Sequence, residues 1–239
     1  MQILDCKYNN ITINEALGQS LELLQIQSKS KIFFLNADCI YKAQHDIEYR
    51  NILNSAELIL PDGIGVKLIT RLFGWRMKDN CNGTDFSPLF MAKAAQHNYK
   101  IFFLGAKEGI AEKAAHNVSK HVPAIQIVGA QSGYFANNEA VIEKINSSKA
   151  DILFVAMGVP LQEKWIYKNL DKLDVRLCLG VGALFDYLSG TLPRAPKFMR
   201  IIHLEWLWRI SLEPKRMFRR YIIDGSKLFW LILKQKLKS

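Results

Sequence analysis

The sequence predicts an α/β fold in which helices cover both faces of a mainly parallel sheet, followed by a basic, amphipathic C-terminal appendage. Two observations predict the sheet. Short apolar segments alternate with longer helical ones, and the short segments are apolar throughout, as in strands covered on both faces. A third observation predicts the appendage, because the net positive charge is confined to the end of the chain.

Six segments have the length and the Ile, Val, Leu and Phe content of buried strands. They are residues 31–35, 58–60, 100–104, 125–128, 151–156 and 176–181. Helical patterns precede and separate them, at residues 13–27, 43–55, 64–72, 85–97, 109–121, 138–147 and 162–170. Because helices separate successive strands, we expect a Rossmann-like sheet with helices on both faces.

The charge balance divides the chain near residues 193–196. Residues 194–239 contain 12 Lys or Arg and 3 Asp or Glu, whereas residues 1–193 contain 20 and 19. We therefore expect a nearly neutral body, residues 1–193, and a basic C-terminal appendage, residues 194–239. Such an asymmetry is typical of proteins that meet a polyanion, such as nucleic acid, anionic lipid or phosphate groups.

The appendage also contains many apolar residues, including Trp206, Trp208, Phe229 and Trp230. No apolar run approaches the roughly 20 residues that span a bilayer. Basic residues mixed with Trp, Phe and Leu are typical of a segment lying in the membrane interface. A basic helix that packs on the body with solvated charges is the alternative interpretation.

The cysteines and the start of the chain indicate a cytosolic setting. The four cysteines, Cys6, Cys39, Cys81 and Cys178, form no CxxC pair and are expected to be reduced and mostly buried. The first residues do not have the basic and then apolar pattern of a secretory signal. We expect a cytoplasmic protein that associates peripherally with the inner face of the cell membrane.

Glycine-containing or polar segments follow five of the predicted strands. Because parallel strands end at the same edge of a sheet, and ligands bind at that edge, we expect these segments to line one strand-end rim. The rim residues of interest are Asn36, Asp62, Gly63, Gly105, Gly158, Gln162, Glu163 and Gly182.

Asp62 lies between Pro61 and Gly63, immediately after the strand predicted at residues 58–60. A carboxylate on such a loop can act as a general base toward a hydroxyl group. It can also cap the helix predicted at residues 64–72 by accepting backbone N–H bonds. The local pattern alone favours the cap.

The segments that follow two other predicted strands each have two interpretations as well. Residues 105–109 precede a helix, whose N-terminal N–H groups suit a phosphate, but a plain tight turn has the same pattern. Gln162 and Glu163 stand side by side at a predicted helix start. An amide there can contact a uracil or a sugar hydroxyl, although an acidic first helical turn explains the pattern equally well.

Arg209, Arg216 and Arg219 are separated by seven and three residues in the appendage. On one continuous helix they would share a face, but Pro214 interrupts the pattern. Guanidinium groups bind phosphate oxygens bidentately and would stabilise a leaving diphosphate. A solvated or lipid-facing basic side is the alternative.

Several motifs are absent from the sequence, which limits the chemistry. It contains no Asp-x-Asp, no histidine spacing typical of a metal site and no GxSxG motif. A GxGxxG motif is also absent, which argues against a nicotinamide-dependent oxidoreductase. We expect neither a metal ion nor a cofactor.

Taken in order, the motifs resemble those of the WecG/TagA/CpsF glycosyltransferase family over about residues 4–221. The resembling stretches are Asn36, LPDGIGV (60–66), GTD (83–85), FFLGA (102–106), GYF (133–135), GVPLQEKW (158–165), GVGALFD (180–186), and RAP, LEWLWR and EPKRMFRRY within residues 194–221. The motifs in the second half of the chain are the most specific part of this resemblance.

The resemblance implies an inverting, metal-independent enzyme that transfers a sugar from a UDP-sugar to a polyprenyl-diphosphate-linked sugar. The transferred sugar would be of the N-acetylmannosamine type or another hexose, and the product a bacterial cell-surface polysaccharide or wall polymer. Asp62 would be the base, and Asn36, Gln162 and the appendage arginines would bind substrate. The body would be the catalytic domain, the appendage would reach an anionic membrane, and a homo-oligomer is left open.

Two departures from the family pattern leave the donor sugar open. Many members have Arg where this chain has Asn80, and Thr where it has Phe34. A basic nucleic-acid-binding protein on the same Rossmann-like body is the alternative function, since the appendage charge permits it. The Trp, Leu and Ile content of the appendage suits lipid better, so we expect no nucleic-acid partner.

Overall fold

The computed structural model of the chain describes residues 1–202 and 204–237. His203, one of the histidines considered for a metal site, and the last two residues of the appendage lie outside the described residues. The strands are β1 (Gln2–Ile3), β2 (Cys6–Lys7), β3 (Ser30–Leu35), β4 (Leu58–Pro61), β5 (Lys100–Gly105), β6 (Gln126–Gln131), β7 (Ile152–Ala156) and β8 (Leu177–Gly180).

The helices of the body alternate with these strands. They are α1 (Ile13–Leu23), α2 (Ala37–His45), α3 (Ile47–Asn54), α4 (Gly63–Leu72), α5 (Gly83–Gln96), α6 (Ile110–His121), α7 (Asn138–Ser147), α8 (Leu161–Asn169) and α9 (Leu184–Leu188). The appendage contains α10 (Lys197–Ile201), α11 (Glu205–Leu212), α12 (Pro214–Phe218) and α13 (Gly225–Lys236), with a π-helical segment, Arg219–Asp224, between the last two.

The main sheet has six strands in the order β4-β3-β8-β7-β5-β6, and every neighbouring pair is parallel. The six strands predicted from the sequence are the six strands of this sheet. Strands β1 and β2 form a separate antiparallel pair. The fold class is therefore confirmed as α/β with a Rossmann-like parallel sheet.

Side chains along each strand alternate between two apolar layers. Phe33 and Leu35 face a layer formed with α2, α3, α4, α7 and α8, whereas Ile32 and Phe34 face a layer formed with α1, α5, α6 and α9. Both layers are closed to water, which explains why the strands are apolar throughout. The sheet is thus covered on both faces, as predicted.

The direction of the connections reverses between β5 and β7. The chain runs from β5 to β6 at one edge of the sheet, but from β7 to β8 in the opposite direction. Such a switch point opens a crevice at the carboxyl ends of the strands, where α/β proteins bind ligands. The switch point lies at the same edge of the sheet as the strand-end rim.

The prediction of a single helix at residues 43–55 is wrong, because the structure has two helices there. Asn36 begins α2, its side chain accepting the Cys39 N–H at 3.1 Å. Asp46 interrupts the helical run and caps α3, accepting the Tyr49 N–H at 2.9 Å. A capping side chain inside an apparently continuous pattern thus starts a second helix.

Helix α13 packs against α2, and its Leu228 and Ile232 are buried in the same apolar cluster as the helices on that face of the sheet. Its other side leaves Phe229 and Trp230 exposed. Within the described residues, no helix combines the length and apolar character needed to cross a bilayer. The appendage therefore has one face packed on the body and another that carries exposed aromatic rings.

Candidate active site

The strand-end rim forms at the carboxyl edge of the parallel sheet, as the sequence predicts. Asn36 follows β3, Asp62 follows β4, and Gly105, Gly158 and Gly182 lie at or just after the ends of β5, β7 and β8. Appendage helix α11 and the segment after α12 bring charged side chains to the β3 and β4 end of this rim. Body and appendage together therefore form the candidate site.

Asp62 is partly buried, and its main-chain N–H donates to the Leu35 carbonyl at 2.8 Å. Its side chain makes no cap hydrogen bond to α4. The first N–H of that helix, on Gly63, donates instead to Asn80 Oδ1 at 2.6 Å. Gly63 has a φ of 90°, a left-handed conformation that glycine adopts without strain. Asn80 thus takes the capping bond, and the Asp62 carboxylate does not.

The surroundings of Asp62 act on its pKa in opposite directions. Burial raises the pKa of the carboxyl above its ordinary value. The positive charges of Arg209 and Arg220 and a hydrogen-bond interaction with the Asn36 side chain oppose this shift, while Glu205 adds to it. A raised pKa makes a carboxylate a stronger proton acceptor, which suits a general base.

Arg209, on α11, is the predicted arginine that approaches Asp62. Its guanidinium lies 3.5 Å from Glu205 Oε1 and its Cζ lies 5.4 Å from the centre of the Tyr187 ring. Burial alone would lower the pKa of this guanidinium, but Tyr187, Tyr221, Asp62 and Glu205 raise it above its ordinary value. Arg209 is therefore a permanent cation whose charge acts on the Asp62 carboxylate.

Arg216 and Arg219 take other positions than Arg209. Arg216, on α12, forms an ion pair of 2.7 Å with Glu213 and contributes to the charge around Asp186, after β8. Burial raises the pKa of the Asp186 carboxyl and Glu213 raises it further, whereas Arg216 and Lys107 lower it. Arg219 is exposed at the start of the π-helical segment. The structure does not bring these three arginines to one helix face.

A small cleft lies where α11 and α12 meet the segment after β8. It is lined by Ala183, Tyr187, Leu192, Arg209, Leu212, Glu213, Arg216 and Met217. Arg209 therefore contacts this cleft and the surroundings of Asp62 at the same time. The cleft connects the two charged parts of the candidate site.

Gln162 is buried and joins two strand-end loops. Its Oε1 accepts the Gly158 N–H at 3.2 Å and the Gly182 N–H at 2.8 Å. Its Nε2 donates to Glu163 Oε1 at 2.7 Å. The amide oxygen therefore accepts two bonds inside the protein, one from each loop, and holds the ends of β7 and β8 together.

Glu163 lies beneath the rim and is fully buried. Burial raises the pKa of its carboxyl to about 7, against the lowering effects of the Gln162 bond and of Lys42. Within the described residues its Oε2 atom has no hydrogen-bond partner. Protonation near neutral pH is the usual response of a carboxyl group to such burial.

The loop at Gly105 is held tightly against the end of β7. The Ala106 N–H donates to the Ala156 carbonyl at 2.8 Å, and a Cβ on Gly105 would overlap that carbonyl. With a φ of 139°, Gly105 also has a conformation that other residues rarely adopt. This contact sets the spacing of the two loops that follow β5 and β7.

Among the described residues, no group of three or more His, Cys, Asp or Glu side chains is arranged to hold a metal ion. The four cysteines are free and buried, as predicted. Burial raises the pKa of each of their thiols to about 12. These thiols are accordingly unreactive near neutral pH.

Sequence reasoning missed three residues that face Asp62 or its neighbours: Glu205, Tyr187 and Arg220. Arg220 is the most informative, because its Nη2 donates to Asn36 Oδ1 at 3.2 Å. The sequence does show the adjacent arginines Arg219 and Arg220. Helical spacing alone, however, does not decide which of the two points inward.

The comparison with protein families decides the assignment of the chain. The model of the glycosyl transferase WecG/TagA/CpsF family matches residues 1–239. The chain belongs to this family. It is accordingly a glycosyltransferase, as its motifs predicted.

Relatives of this WecG/TagA/CpsF family member include three enzymes that share one name, N-acetylglucosaminyldiphosphoundecaprenol N-acetyl-beta-D-mannosaminyltransferase. The Bacillus spizizenii protein is 35% identical over 204 residues, 85% of this chain and 79% of the relative. The Bacillus subtilis protein is 34% identical over 194 residues, 81% and 76% of the two chains. A Staphylococcus aureus protein is 25% identical over 221 residues, 92% and 87% of the two chains.

Proposed function

We propose that this glycosyltransferase transfers an N-acetylmannosamine-type sugar from a UDP-sugar to a polyprenyl-diphosphate-linked N-acetylglucosamine, with inversion and without a metal ion. The names of the relatives support the acceptor and the transferred sugar. The observation that carries the proposal is the Asp62 carboxylate, which is partly buried, makes no capping bond and is subject to the positive charges of two guanidinium groups.

In the proposed reaction, Asp62 accepts the proton of an acceptor hydroxyl as its oxygen attacks the anomeric carbon of the donor. The bond between that carbon and the UDP oxygen breaks on the opposite face, which inverts the anomeric configuration. UDP leaves with the bonding electron pair, and the proton resides on Asp62. Because burial raises the pKa of the Asp62 carboxyl, this proton transfer is more favourable than it would be to an exposed aspartate.

Arg209 supports the departure of UDP. Negative charge grows on the diphosphate as the bond breaks, and a cation already in position stabilises it without further rearrangement. Arg209 is held by Glu205 and Tyr187, so its guanidinium is oriented before substrate arrives. Arg216 lines the same cleft as Arg209, and it and Lys107 add positive charge around Asp186.

Gln162 acts in this proposal by holding the loops rather than by its amide oxygen reaching the substrate. Its bonds to the Gly158 and Gly182 N–H groups keep the ends of β7 and β8 in fixed positions. Pre-set geometry of this kind lowers the entropy that the reaction must lose to align the reactants.

In this proposal the appendage binds the membrane, where a polyprenyl-linked acceptor resides. Phe229 and Trp230 are exposed on α13, and Lys227, Lys234 and Lys236 belong to the same helix. Aromatic rings enter the interfacial region, and each basic residue adds about 1 kcal/mol near an anionic surface. We propose peripheral association with the inner face of the cell membrane.

The test is a transfer assay with the full chain. The protein is incubated with UDP-N-acetylmannosamine, UDP-N-acetylglucosamine or UDP-glucose and a short-chain prenyl-diphosphate-N-acetylglucosamine, with and without EDTA. Acceptor-dependent UDP release and an inverted glycolipid product, unchanged by EDTA, are expected with the first donor. Absence of transfer from every donor, or loss of transfer in EDTA, contradicts the proposal.

A further inference from the structure

The helix that follows the proposed base has an exposed outer side. Helix α4 begins at Gly63, one residue after Asp62, and its Val66 is buried against the body. On the opposite side of the helix, Leu68 is 53% exposed, and Arg71, its neighbour one turn on, is exposed as well. With a rise of 1.5 Å per residue, Leu68 lies roughly 9 Å along the helix from Asp62. An exposed leucine and a cation therefore stand close to the proposed base.

The turn that ends α4 holds an aromatic ring at the surface. The Gly74 N–H donates to the Arg71 carbonyl at 3.0 Å, and the Trp75 N–H donates to the Thr70 carbonyl at 2.9 Å, which is the Schellman arrangement of a helix end. The Trp75 ring also stacks on Phe73, with the ring centres 5.5 Å apart, and Trp75 is 36% exposed. Main-chain bonds and a ring contact thus fix the position of this indole.

The segment that contains α4 and this turn is basic. Residues 63–78 include four Lys or Arg and no Asp or Glu, although the body as a whole is nearly neutral. Lys78 pairs with Glu15 at 3.2 Å. The side chains of Arg71 and Arg76 are exposed, and neither forms an ion pair with any residue that the structure describes. Two guanidinium groups of the body therefore face solvent without a carboxylate partner among those residues.

Leu68, Arg71, Trp75 and Arg76 form what we call the α4 surface. Exposed leucine and tryptophan mixed with arginine are typical of segments that lie in the interface of an anionic membrane. A nucleic acid would bind the arginines but would leave the leucine without a partner. A second copy of the chain that met this surface by two-fold symmetry would bring like charges together. Charge and apolar content therefore favour an anionic lipid surface.

Helix α4 lies on the same face of the sheet as α13, the helix that the proposed function assigns to the membrane. Both helices contact α2, and the buried residues of both belong to one apolar cluster. Helix α5 packs on the opposite face of the sheet, where its Leu89 and Lys93 are also exposed. Exposed aromatic and basic residues of the body and of the appendage thus occur on one face.

We propose that the α4 surface is a second membrane contact, contributed by the body, which binds anionic lipid headgroups and inserts Leu68 and Trp75 into the interface. The inference rests on the proposed function and deepens it, because it adds an orientation of the body to the association through α13. One contact leaves the body free to pivot about the appendage. Two contacts hold the start of α4, and with it Asp62, near the bilayer surface that presents a prenyl-linked acceptor.

Sedimentation of the full chain with vesicles of phosphatidylglycerol and phosphatidylcholine tests this proposal. A variant with Leu68→Ser and Trp75→Ser is expected to bind these vesicles about tenfold more weakly than the wild type, because less apolar surface enters the interface. A variant with Arg71→Gln and Arg76→Gln is expected to lose about as much, and to match the wild type on vesicles of phosphatidylcholine alone, which present no anionic headgroup. Wild-type affinity of both variants for the anionic vesicles overturns the proposal.

The matched control combines Leu89→Ser and Lys93→Gln on α5, which removes an exposed leucine and a positive charge from the opposite face of the sheet. It is expected to stay within about twofold of the wild type. A tenfold loss in this control as well would mean that total charge and apolar area matter and the α4 surface does not. Thermal unfolding shows whether each variant is folded, and the arginine variant carries the test if the variant at Leu68 and Trp75 is not.

Two further measurements separate a lipid surface from the other occupants. Lipids brominated on their acyl chains quench tryptophan fluorescence, and Trp75→Phe is expected to remove part of that quenching. Sedimentation velocity without vesicles is expected to be the same for the wild type and the variant at Leu68 and Trp75. A change in oligomeric state with unchanged vesicle binding would make the α4 surface an interface between copies. Binding of an oligonucleotide that requires Arg71 and Arg76, while vesicle binding does not, would likewise contradict the proposal.

The failure of this inference differs from the failure of the proposed function. Protein that transfers sugar to a short-chain acceptor, but binds vesicles equally well without the α4 surface, would contradict the inference and leave the proposed function standing. Protein that binds anionic vesicles through the α4 surface, but transfers no sugar from any donor, would contradict the proposed function and leave the second membrane contact standing.

Discussion

The strand-end rim of the body and the appendage contribute to the site in different ways. In the body, main-chain groups and buried side chains fix the loops, as the bonds from Gly158 and Gly182 to Gln162 illustrate. In the appendage, the contributions are side-chain charges held by ion pairs and ring contacts, above all Arg209. In the proposed reaction, the body thus determines where the reacting atoms meet, and the appendage determines how much positive charge surrounds them.

Replacement of the proposed base tests the contribution of the body and has the largest expected effect. Asp62→Asn removes the proton acceptor but keeps the size of the side chain. Sugar transfer is expected to fall by about 10²- to 10⁴-fold, the usual contribution of a general base. The melting temperature is expected to stay the same or rise, because a buried charge is lost. Transfer at the wild-type rate would exclude Asp62 as the base.

Arg209→Met tests the contribution of the appendage. It keeps much of the aliphatic chain and removes the charge, so kcat is expected to fall by about 10²-fold through loss of leaving-group stabilisation. Lys197→Met is the matched control, since Lys197 is exposed on α10. A similar small loss in both variants would mean that the general charge of the appendage matters and the position of Arg209 does not.

Glu163→Gln tests whether the Glu163 carboxyl, which is buried beneath the strand-end rim, is protonated in the folded protein. Burial raises the pKa of Glu163 from 4.5 to about 7 in the folded protein. The folded state therefore keeps a proton that the unfolded state loses, and stability falls as the pH rises from about 4.5 to about 7. Near pH 8 the variant is expected to be more stable than the wild type, by up to roughly 3 kcal/mol.

Chemical denaturation at pH 5 and pH 8 measures this difference, which is expected to be small at the lower pH. Glu139→Gln, at an exposed glutamate, is the control and is expected to follow the wild type at both values. If the free energy of unfolding of Glu163→Gln changes with pH in parallel with the wild type, Glu163 is already ionised in the fold.

The smallest effect is expected at the outer side of α13. Replacement of Phe229 and Trp230 by serine is expected to weaken binding to vesicles that contain anionic lipid by about tenfold or more, because less apolar surface enters the interface. Tyr134→Ser, at an aromatic residue of the body that is 75% exposed, is expected to leave vesicle binding unchanged. If sedimentation assays show the same loss of vesicle binding in both variants, this would argue against α13 as the membrane-facing element.

The sequence predicted the sheet well because its strands are buried on both faces and therefore carry a strong apolar signal. All six strands and the location of Asp62 at a strand end followed from that signal. The two-residue strands β1 and β2 were missed, since they are too short for any pattern. The break between α2 and α3 was missed because one capping aspartate is a weaker signal than the surrounding apolar spacing.

The site was only partly predictable, for a physical reason. Local sequence indicates which residues lie at a strand end, and it correctly gathered Asn36, Gln162 and the loop glycines there. It does not indicate which hydrogen bonds a side chain makes with distant segments. The capping role of Asn80 at Gly63 and the inward turn of Arg220 both depend on such contacts, 17 and 184 residues apart in the chain.

Hydrogen exchange with and without UDP tests most directly whether the active site lies between the strand-end rim and the appendage. Slower exchange is expected in peptides that cover residues 36–38, 62–65 and 205–220, with no change in the peptide that contains β1 and β2. Protection confined to segments away from the rim, with residues 205–220 unaffected, would contradict the central claim that body and appendage form one nucleotide-sugar site.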